Sequence, residues 1–290
     1  MDLATFLVQC LNAVQYGLLL FLVASGLTLI FGIMGVINLA HGSFYMIGAY
    51  LAFVLAPYFG DWFIARLAVG VLLAAAFGFV LEWAFFSFLY RREHLQQVLM
   101  TYALILVFEE ARSLLVGNDV HGVQAPPWLA GGFRLGELMS YPWYRVFASA
   151  ACIVVAAGLY FVVNRTRLGM MIRAGASNRD MARGLGIDIR MLYRVVFAAG
   201  VALAALAGMI AAPLSSVYPG MGDSVLIICF VVVVIGGIGS ITGALIASLL
   251  VGFVDTFGKV FFAEYSGIGV YLLMAIVLVW RPEGLMKRAY

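Results

Sequence analysis

The chain has 290 residues, of which 65% are hydrophobic and 11% charged, with a mean hydropathy of +1.08 and a formal net charge of +3. Soluble globular domains hold about half apolar and about a quarter charged residues, so this composition excludes a soluble globule. The apolar residues form long continuous runs instead of the alternating segments of a membrane β-barrel, which predicts an all-α protein embedded in a membrane.

Apolar runs of about 20 residues are long enough to cross about 30 Å of hydrocarbon as helices. The sequence holds such runs at 10–33, 36–57, 64–90, 95–116, 143–163, 194–214, 224–239, 241–260 and 267–281. The runs within 10–57 and within 224–260 are the least clearly separated. We therefore predict a polytopic helical bundle of eight or nine spans that forms one transmembrane domain over residues 1–290.

The charged residues of the loops predict which end of the bundle faces the cytoplasm. Basic residues concentrate in the segment 164–194, and alternating spans place the other basic loops on the same side. Most acidic residues fall on the opposite side. Because short basic loops stay cytoplasmic, we predict an external N-terminus, a cytoplasmic C-terminus, an external loop at 117–142 and a cytoplasmic loop at 164–194.

The stretch GIMGVINLAHGSFYMIGAYLAF, residues 32–53, interrupts the first apolar region with glycines and polar residues. Unpaired backbone survives in a membrane only where it faces protein or a wet cavity. We predict a broken helix whose residues line a substrate pathway: Gly35, Asn38, His41, Gly42 and Ser43. In the alternative reading, Asn38 and His41 only hydrogen-bond a neighbouring helix. The sequence leaves the depth of the break open, and a break near the cytoplasmic end would form an exit gate.

A second glycine-rich interruption lies in VVVVIGGIGSITGALIASLLVGF, residues 231–253. Transporters are often built from inverted repeats, whose discontinuous helices meet near the substrate. Glycine-interrupted segments in the first and last thirds of the chain therefore predict an inverted repeat and a role in transport.

Small residues recur every four positions on two later helices, and such stripes allow helix backbones to approach closely in a membrane. We predict close helix contacts, within this chain or with a second copy or homologue, at Gly200, Ala204, Gly208, Gly239 and Gly243.

The cytoplasmic loop contains a short predicted helix, RDMARGLG, which Ser177 or Asn178 caps and Gly184 and Gly186 end. A basic segment of this kind either lies on anionic lipid or docks in a groove of a cytoplasmic protein. The capped helix and its glycine break favour the docking element.

The chain has no phosphate-binding G-x-x-x-x-G-K-[ST] sequence and only short hydrophilic loops, so we predict that it does not hydrolyse ATP and is not an enzyme. An ion-coupled carrier would need carboxylates within the membrane. The candidates are Glu82 and Asp255, and the alternative for each is a structural role. Lys259 lies one helical turn after Asp255 and could pair with it. The three cysteines are widely separated and apolar in context, so we expect no metal site.

Several segments together resemble the LivH-type inner-membrane permeases of bacterial branched-chain amino acid ABC transporters. They are GLTLIFGIMGVINLAHGSFYMIGAY, RAGASNRDMARGLGI, YRVVFAAGVALAALAGMIAAP, VVIGGIGSITGALIASLLVG and WRPEGLMKR. The resemblance implies a LivM-like second permease, two cytoplasmic ATPases of the LivG and LivF type and an external substrate-binding protein. ATP and Mg would be used by those ATPases, so we expect no cofactor in this chain, and no nucleic acid, but membrane lipid, among its partners.

The resemblance also implies that the loop from Arg173 to Ile187 contacts an ATPase. The residues assigned to this coupling are Arg173, Asn178, Ala182, Gly184, Leu185, Gly186 and Ile187. The expected function is an importer permease for branched-chain amino acids, or for urea, short amides or aromatic acids, which relatives of the same type move. The alternatives are an ion-coupled carrier that works alone and a membrane anchor without a pathway.

Overall fold

The computed structural model describes residues 3–90, 92–134 and 140–286. The predicted external loop 117–142 and the predicted single domain 1–290 thus include residues outside these ranges. The long helices of the described chain are α1 (Leu3–Met34), α2 (His41–Val54), α4 (Phe63–Leu81), α6 (His94–Val116), α7 (Trp143–Arg165), α8 (Arg167–Ser177), α10 (Ile189–Ser215), α11 (Met221–Gly236), α12 (Ile241–Phe261) and α13 (Ser266–Trp280). The short elements are α3 (Ala56–Phe59), a π-helical turn (Glu82–Phe86) that leads into α5 (Ser87–Leu89), α9 (Arg179–Gly184), two 3-10 turns (Pro127–Leu129 and Ala263–Tyr265), and the antiparallel pair β1 (Gly132–Arg134) and β2 (Ser140–Pro142).

The structure is a polytopic helical membrane protein, but fewer helices qualify as full spans than the eight or nine predicted. In the described ranges, five are long and apolar enough to cross a membrane: Leu3–Met34, Phe63–Leu89, Trp143–Arg165, Ile189–Ser215 and Ile241–Phe261. The apolar helices α11 and α13 are shorter, and α6 is more polar because it carries Glu109, Glu110 and Arg112. The remaining predicted spans therefore correspond to helices that are shorter or more polar than these five.

The clearest departure from the predicted spans is the run 36–57. Its helix, α2, begins only at His41 and has 14 residues, which is about 21 Å of length. This is shorter than the hydrocarbon core of about 30 Å. The preceding residues are not helical because α1 ends at Met34 and Gly35 adopts a positive φ of 66°.

The centre of the bundle is α1, which is apolar except for a polar face in its first half. Of its most apolar stretch, 94% is buried, and α12, α10, α7 and α11 pack around it. An apolar helix of this kind suits either lipid or a protein interior, and here protein surrounds it. By contrast, only 17% of the most apolar stretch of α7 is buried, which leaves that helix mostly facing outward.

Glycines at the helix crossings bring backbones into contact. An added Cβ at Gly208 of α10 would collide with the carbonyl oxygen of Tyr45 on α2, and one at Gly26 of α1 would meet the carbonyl of Gly200. Ala204, between the two α10 glycines, is fully buried. Small residues therefore set the distance between α10 and its two neighbours.

The second glycine-rich stretch forms the turn between α11 and α12. Gly237 and Gly239 have φ of 96° and 84°, and the Ser240 side chain accepts a hydrogen bond from Gly243 N at 3.0 Å, which caps α12. A Cβ at Gly243 would collide with the carbonyl of Gly236. Both predicted glycine-rich segments thus interrupt helices.

Candidate functional site

The break after α1 lies inside the bundle. The His41 Nε2–H donates to the carbonyl oxygen of Val23 at 2.9 Å. Val23 lies about 16 Å along α1 from Met34, at 1.5 Å per residue. The segment 35–40 therefore runs back along α1, and α2 starts well within its length.

The polar side chains of the break are buried. Asn38 and His41 are 0% exposed and Ser43 is 4% exposed. Asn38 Oδ1 accepts from Ala40 N at 3.1 Å and so shapes the turn that starts α2. Within the described residues, Asn38 Nδ2 and His41 Nδ1 have no hydrogen-bond partner. The break is closed, yet it keeps polar atoms that a water or a solute could engage.

Gly35 and Gly42 hold the two ends of the break against other elements. The nearest atom to a Cβ at Gly35 would be Arg179 Nη2, from the short helix α9, and a Cβ at Gly42 would collide with the Gly222 carbonyl at the start of α11. The break thus contacts α9 at one end and, at the other end, α11, which also borders a cavity.

That cavity has a volume of about 620 Å³ and lies between α1, α7, α10, α11 and α12, toward the end of the bundle where α1 begins. Its polar lining consists of Gln9, Asn12, Gln15, Tyr16, Tyr45, Arg145, Ser215, Tyr218, Ser224, Asp255, Thr256 and Lys259. Its apolar lining consists of Leu19, Leu20, Val23, Ala211, Leu214, Val225, Ile228 and Val260. Its size is within the range of about 300–1,000 Å³ that is typical of small-molecule sites.

Charged groups of both signs line the cavity. On α12, Lys259 Nζ lies 2.6 Å from Asp255 Oδ2, and it also sits 5.5 Å from the centre of the Tyr16 ring. The Asp255 side chain is 10% exposed whereas that of Lys259 is 60% exposed. The predicted local pair is therefore confirmed, and the structure adds that it faces a cavity.

Arg145, at the start of α7, is the second charge of the cavity wall. Its Nη1 donates to Asn12 Oδ1 at 2.7 Å and to Gln15 Oε1 at 3.3 Å. Burial raises the pKa of the Tyr141 hydroxyl, which lies just before α7, and the Arg145 guanidinium beside it opposes that shift. Arg145 is thus fixed by neutral partners, and among residues 3–90, 92–134 and 140–286 no carboxylate forms an ion pair with it.

The residues predicted for the pathway do not line this cavity, but they lie directly beneath it. Val23 lines the cavity and its carbonyl accepts from His41. Tyr45, one turn after His41 on α2, also lines it. We did not predict Arg145 or the polar residues of α1 as pathway residues. Their spacing was the available signal, since Gln9, Asn12 and Tyr16 share one face of an apolar helix.

At the opposite end of the bundle, the predicted coupling loop folds as two short helices. Asn178 caps α9 by accepting from Met181 N at 3.0 Å, and α9 ends at Gly184, with φ of 86° at Gly186. The predicted cap, helix and glycine stop are confirmed. The cap follows from local chemistry, because an Asn oxygen satisfies a free N–H of the first turn.

The surface of this loop combines buried anchors with exposed apolar tips. Ala182 is 2% exposed, while Met181 is 66% and Leu185 is 77% exposed. Ile187 is half-buried and packs against the core, and Arg173 Nη1 donates to the carbonyl of Val163 at the end of α7. The loop is therefore fixed to the bundle and still presents apolar side chains outward.

One arginine of α9 joins the loop to the break. Arg179 Nη2 donates to the carbonyl oxygen of Met34 at 2.7 Å, the last residue of α1, and its guanidinium lies 5.8 Å from the centre of the Tyr193 ring. Because Gly35 follows Met34, this bond holds α1 at the point where its helix ends.

Glu82 is linked to this contact through Tyr90 and Tyr193. It is 1% exposed, accepts from the Tyr90 hydroxyl at 2.8 Å and lies 3.4 Å from Arg194 Nε. The Tyr90 ring is 5.0 Å from that of Tyr193. The carboxylate that the sequence offered as an ion site therefore has a cationic partner and a hydroxyl donor inside the protein.

A multi-pass helical bundle that encloses a polar cavity and carries a shaped loop at one end defines the class of membrane permeases. Residues 9–278 match the family described as branched-chain amino acid transport system, permease component. The chain therefore belongs to this family, as its sequence motifs predict. It is a transport subunit and not an enzyme, and it is a multi-pass protein of the bacterial inner membrane.

Relatives align with nearly the whole chain. Identity is 31% over 299 residues to the high-affinity branched-chain amino acid transport system permease protein BraD of Pseudomonas aeruginosa, covering 98% of this chain and 96% of BraD. It is 28% over 297 residues to the corresponding permease protein LivH of Escherichia coli, covering 98% and 96%. It is 27% over 286 residues to the permease protein LivM of Escherichia coli, covering 90% of this chain and 66% of LivM. No solved structure matches the chain.

Proposed function

We propose that this chain is the channel-forming permease subunit of an ATP-driven importer for branched-chain amino acids, and that it works by alternating access. The observation that carries the proposal is the cavity of about 620 Å³ with charges of both signs inside a membrane bundle. Charged groups are costly in a membrane and are usually retained for function. BraD and LivH, which align over almost the full length, are named as permeases for this substrate class.

In this proposal the cavity opens to the outside. Basic residues concentrate in 164–194, at the end opposite the cavity, and short basic loops stay cytoplasmic. The N-terminus is then external and the C-terminus cytoplasmic. Solute delivered from outside enters the cavity and meets the closed segment 35–40 before it reaches the cytoplasm. The two glycine breaks, at 35–40 and 237–240, would be counterparts in an inverted repeat.

The partners follow from the same proposal. This chain pairs with a LivM-like permease, an external binding protein delivers the amino acid, and two ATPases that use ATP and Mg drive the cycle. The ATPase docks on the loop helix α9, where Met181 and Leu185 expose apolar side chains. Apolar tips anchored on a rigid element suit a groove in a partner protein.

The second candidate function, an ion-coupled carrier, is disfavoured by the partners of the two intramembrane carboxylates. Glu82 lies 3.4 Å from Arg194 and Asp255 lies 2.6 Å from Lys259. A carboxylate already compensated by a cation has less reason to take up a proton or sodium ion during transport.

The test is leucine uptake into proteoliposomes that contain this chain with its permease partner, both ATPases and the binding protein. Internal ATP without any ion gradient should be sufficient for uptake, and omission of either the ATPases or this chain should abolish it. Uptake that follows a proton or sodium gradient, and ignores ATP, would instead establish the carrier.

A further inference from the structure

The lining of the cavity changes from polar to apolar with depth. Along α1 the lining residues run from Gln9 and Asn12 at the mouth, through Tyr16, to Leu20 and Val23 at the floor. This path is about 21 Å long at 1.5 Å per residue. The cavity is therefore amphipathic along its axis.

The other helices repeat this gradient. On α11 the lining residues are Ser224 and Val225 nearer the mouth and Ile228 deeper, and on α10 they are Ser215 and Leu214 nearer the mouth and Ala211 deeper. On these three helices polar side chains lie toward the mouth, together with Leu214 and Val225, whereas the deeper residues Leu20, Val23, Ala211 and Ile228 are aliphatic. A ligand that is polar at one end and aliphatic at the other matches this lining.

The charged side chains of Arg145, Asp255 and Lys259 lie among the polar lining residues of the cavity. Asp255 and Lys259 form a pair in which the amine is mostly exposed and the carboxylate is 10% exposed, so a ligand ammonium can replace the amine on Asp255 while Lys259 stays in contact with solvent. A zwitterion would exchange this one ion pair for two, with its ammonium on Asp255 and its carboxylate on Lys259. Arg145, held by Asn12 and Gln15, supplies further positive charge at the same cavity.

From this juxtaposition we propose that the cavity is a binding site for the zwitterion of an aliphatic α-amino acid. The ammonium binds Asp255, the carboxylate binds Lys259 with Arg145 nearby, and the side chain points to the floor at Leu20, Val23 and Ile228. This inference rests on the proposed function and deepens it, because it assigns head-group and side-chain positions within the permease itself.

The test measures whether leucine protects a cysteine in the cavity wall from chemical labelling. Ser224→Cys is introduced together with Cys10→Ser, which removes the half-buried native thiol, while Cys152 and Cys229 are buried. The assembled complex, without its binding protein, is labelled with a membrane-impermeant maleimide. Leucine should slow labelling, whereas glycine, which lacks the aliphatic part, and 4-methylpentanoate, which lacks the ammonium, should not.

The charge variants then separate a binding role from a packing role. Asp255→Asn and Lys259→Gln should each weaken leucine protection by about tenfold or more, since each removes one partner of the zwitterion. Glu264→Gln, an exposed carboxylate just beyond α12, is the matched control and should leave protection unchanged. Lys259→Gln alters a side chain that is 60% exposed, so it keeps the test valid if Asp255→Asn does not assemble.

Two results have separate meanings. If the complex takes up leucine with ATP but leucine never protects Ser224→Cys, or protects it equally in Lys259→Gln, the binding site is wrong while the proposed function stands. A wild-type complex that does not transport leucine would overturn the proposed function itself.

Discussion

Arg179→Ala should uncouple ATP hydrolysis from transport while leaving the complex assembled. Arg179 is the residue of α9 that bonds the carbonyl of Met34, at 2.7 Å, and it also lies over the Tyr193 ring. Removing it frees the end of α1, next to the break at Gly35, from the loop on which the ATPase is proposed to dock. Motion of the loop would then no longer pull on the break.

The size of the effect follows from the two interactions that the substitution removes. A hydrogen bond from a charged group contributes about 1.5–3 kcal/mol and an exposed cation–π contact about 0.5–1 kcal/mol. Because Arg179 is largely exposed, solvent screens both, and a coupling loss of about 1–2 kcal/mol is the better expectation. That corresponds to a fall of about 5- to 30-fold in the ratio of transport to ATP hydrolysis.

The assay compares leucine uptake and ATP hydrolysis in the same proteoliposomes, with and without loaded binding protein. The basal ATPase rate should persist, and stimulation and uptake should fall together. Arg183→Ala is the matched control, since Arg183 is an exposed arginine one turn along the same helix. Equal loss in both variants, or full stimulation in Arg179→Ala, would refute the idea that this bond transmits the motion.

Three further predictions concern the loop, the helix crossings and the break. Gly186→Val should abolish stimulated ATP hydrolysis without affecting membrane insertion, because a φ of 86° costs a branched residue about 1–3 kcal/mol. Leu185→Asp should have the same effect because it places a charge on the docking surface. Unchanged hydrolysis and uptake in both variants would contradict the docking role. Gly208→Leu should lower the yield and melting temperature of the assembled complex, because its Cβ meets a backbone carbonyl. Gly158→Leu, which has open space at the Cβ, is the control and should be tolerated. Similar melting temperatures for the two variants would count against close packing at Gly208. His41→Ala should cost about 0.6–2 kcal/mol of stability, because it removes the hydrogen bond to α1. If His41 also serves the pathway, leucine uptake per folded complex should fall as well. Normal uptake per folded complex would leave only the structural role.

Several features could be predicted from sequence because neighbouring residues along the chain decide them. The Asn178 cap and the positive φ of Gly35 and Gly186 are properties of single turns. The Asp255 and Lys259 pair follows from a spacing of one helical turn. The membrane environment follows from composition, because no soluble fold could bury so many apolar residues.

Other features were decided only by tertiary structure. Hydropathy predicted a full span over 36–57, yet α2 has 14 residues, since apolar composition does not say where a helix ends and non-helical chain begins. The cavity joins residues far apart in sequence: Arg145 donates to Asn12 across a separation of 133 residues. Arg179 reaches Met34 across 145 residues.

The physical reason for this division is the range of the forces involved. Turn chemistry, capping and hydrophobic partition act on each segment separately, so the sequence by itself determined a multi-pass helical membrane protein, its glycine breaks and its capped loop helix. Which polar groups share a cavity depends on how helices cross, and crossings are set by close packing of small residues such as Gly208 and Gly26 against distant backbone. Only the folded bundle therefore placed the charges of α7 and α12 on one cavity above the buried His41.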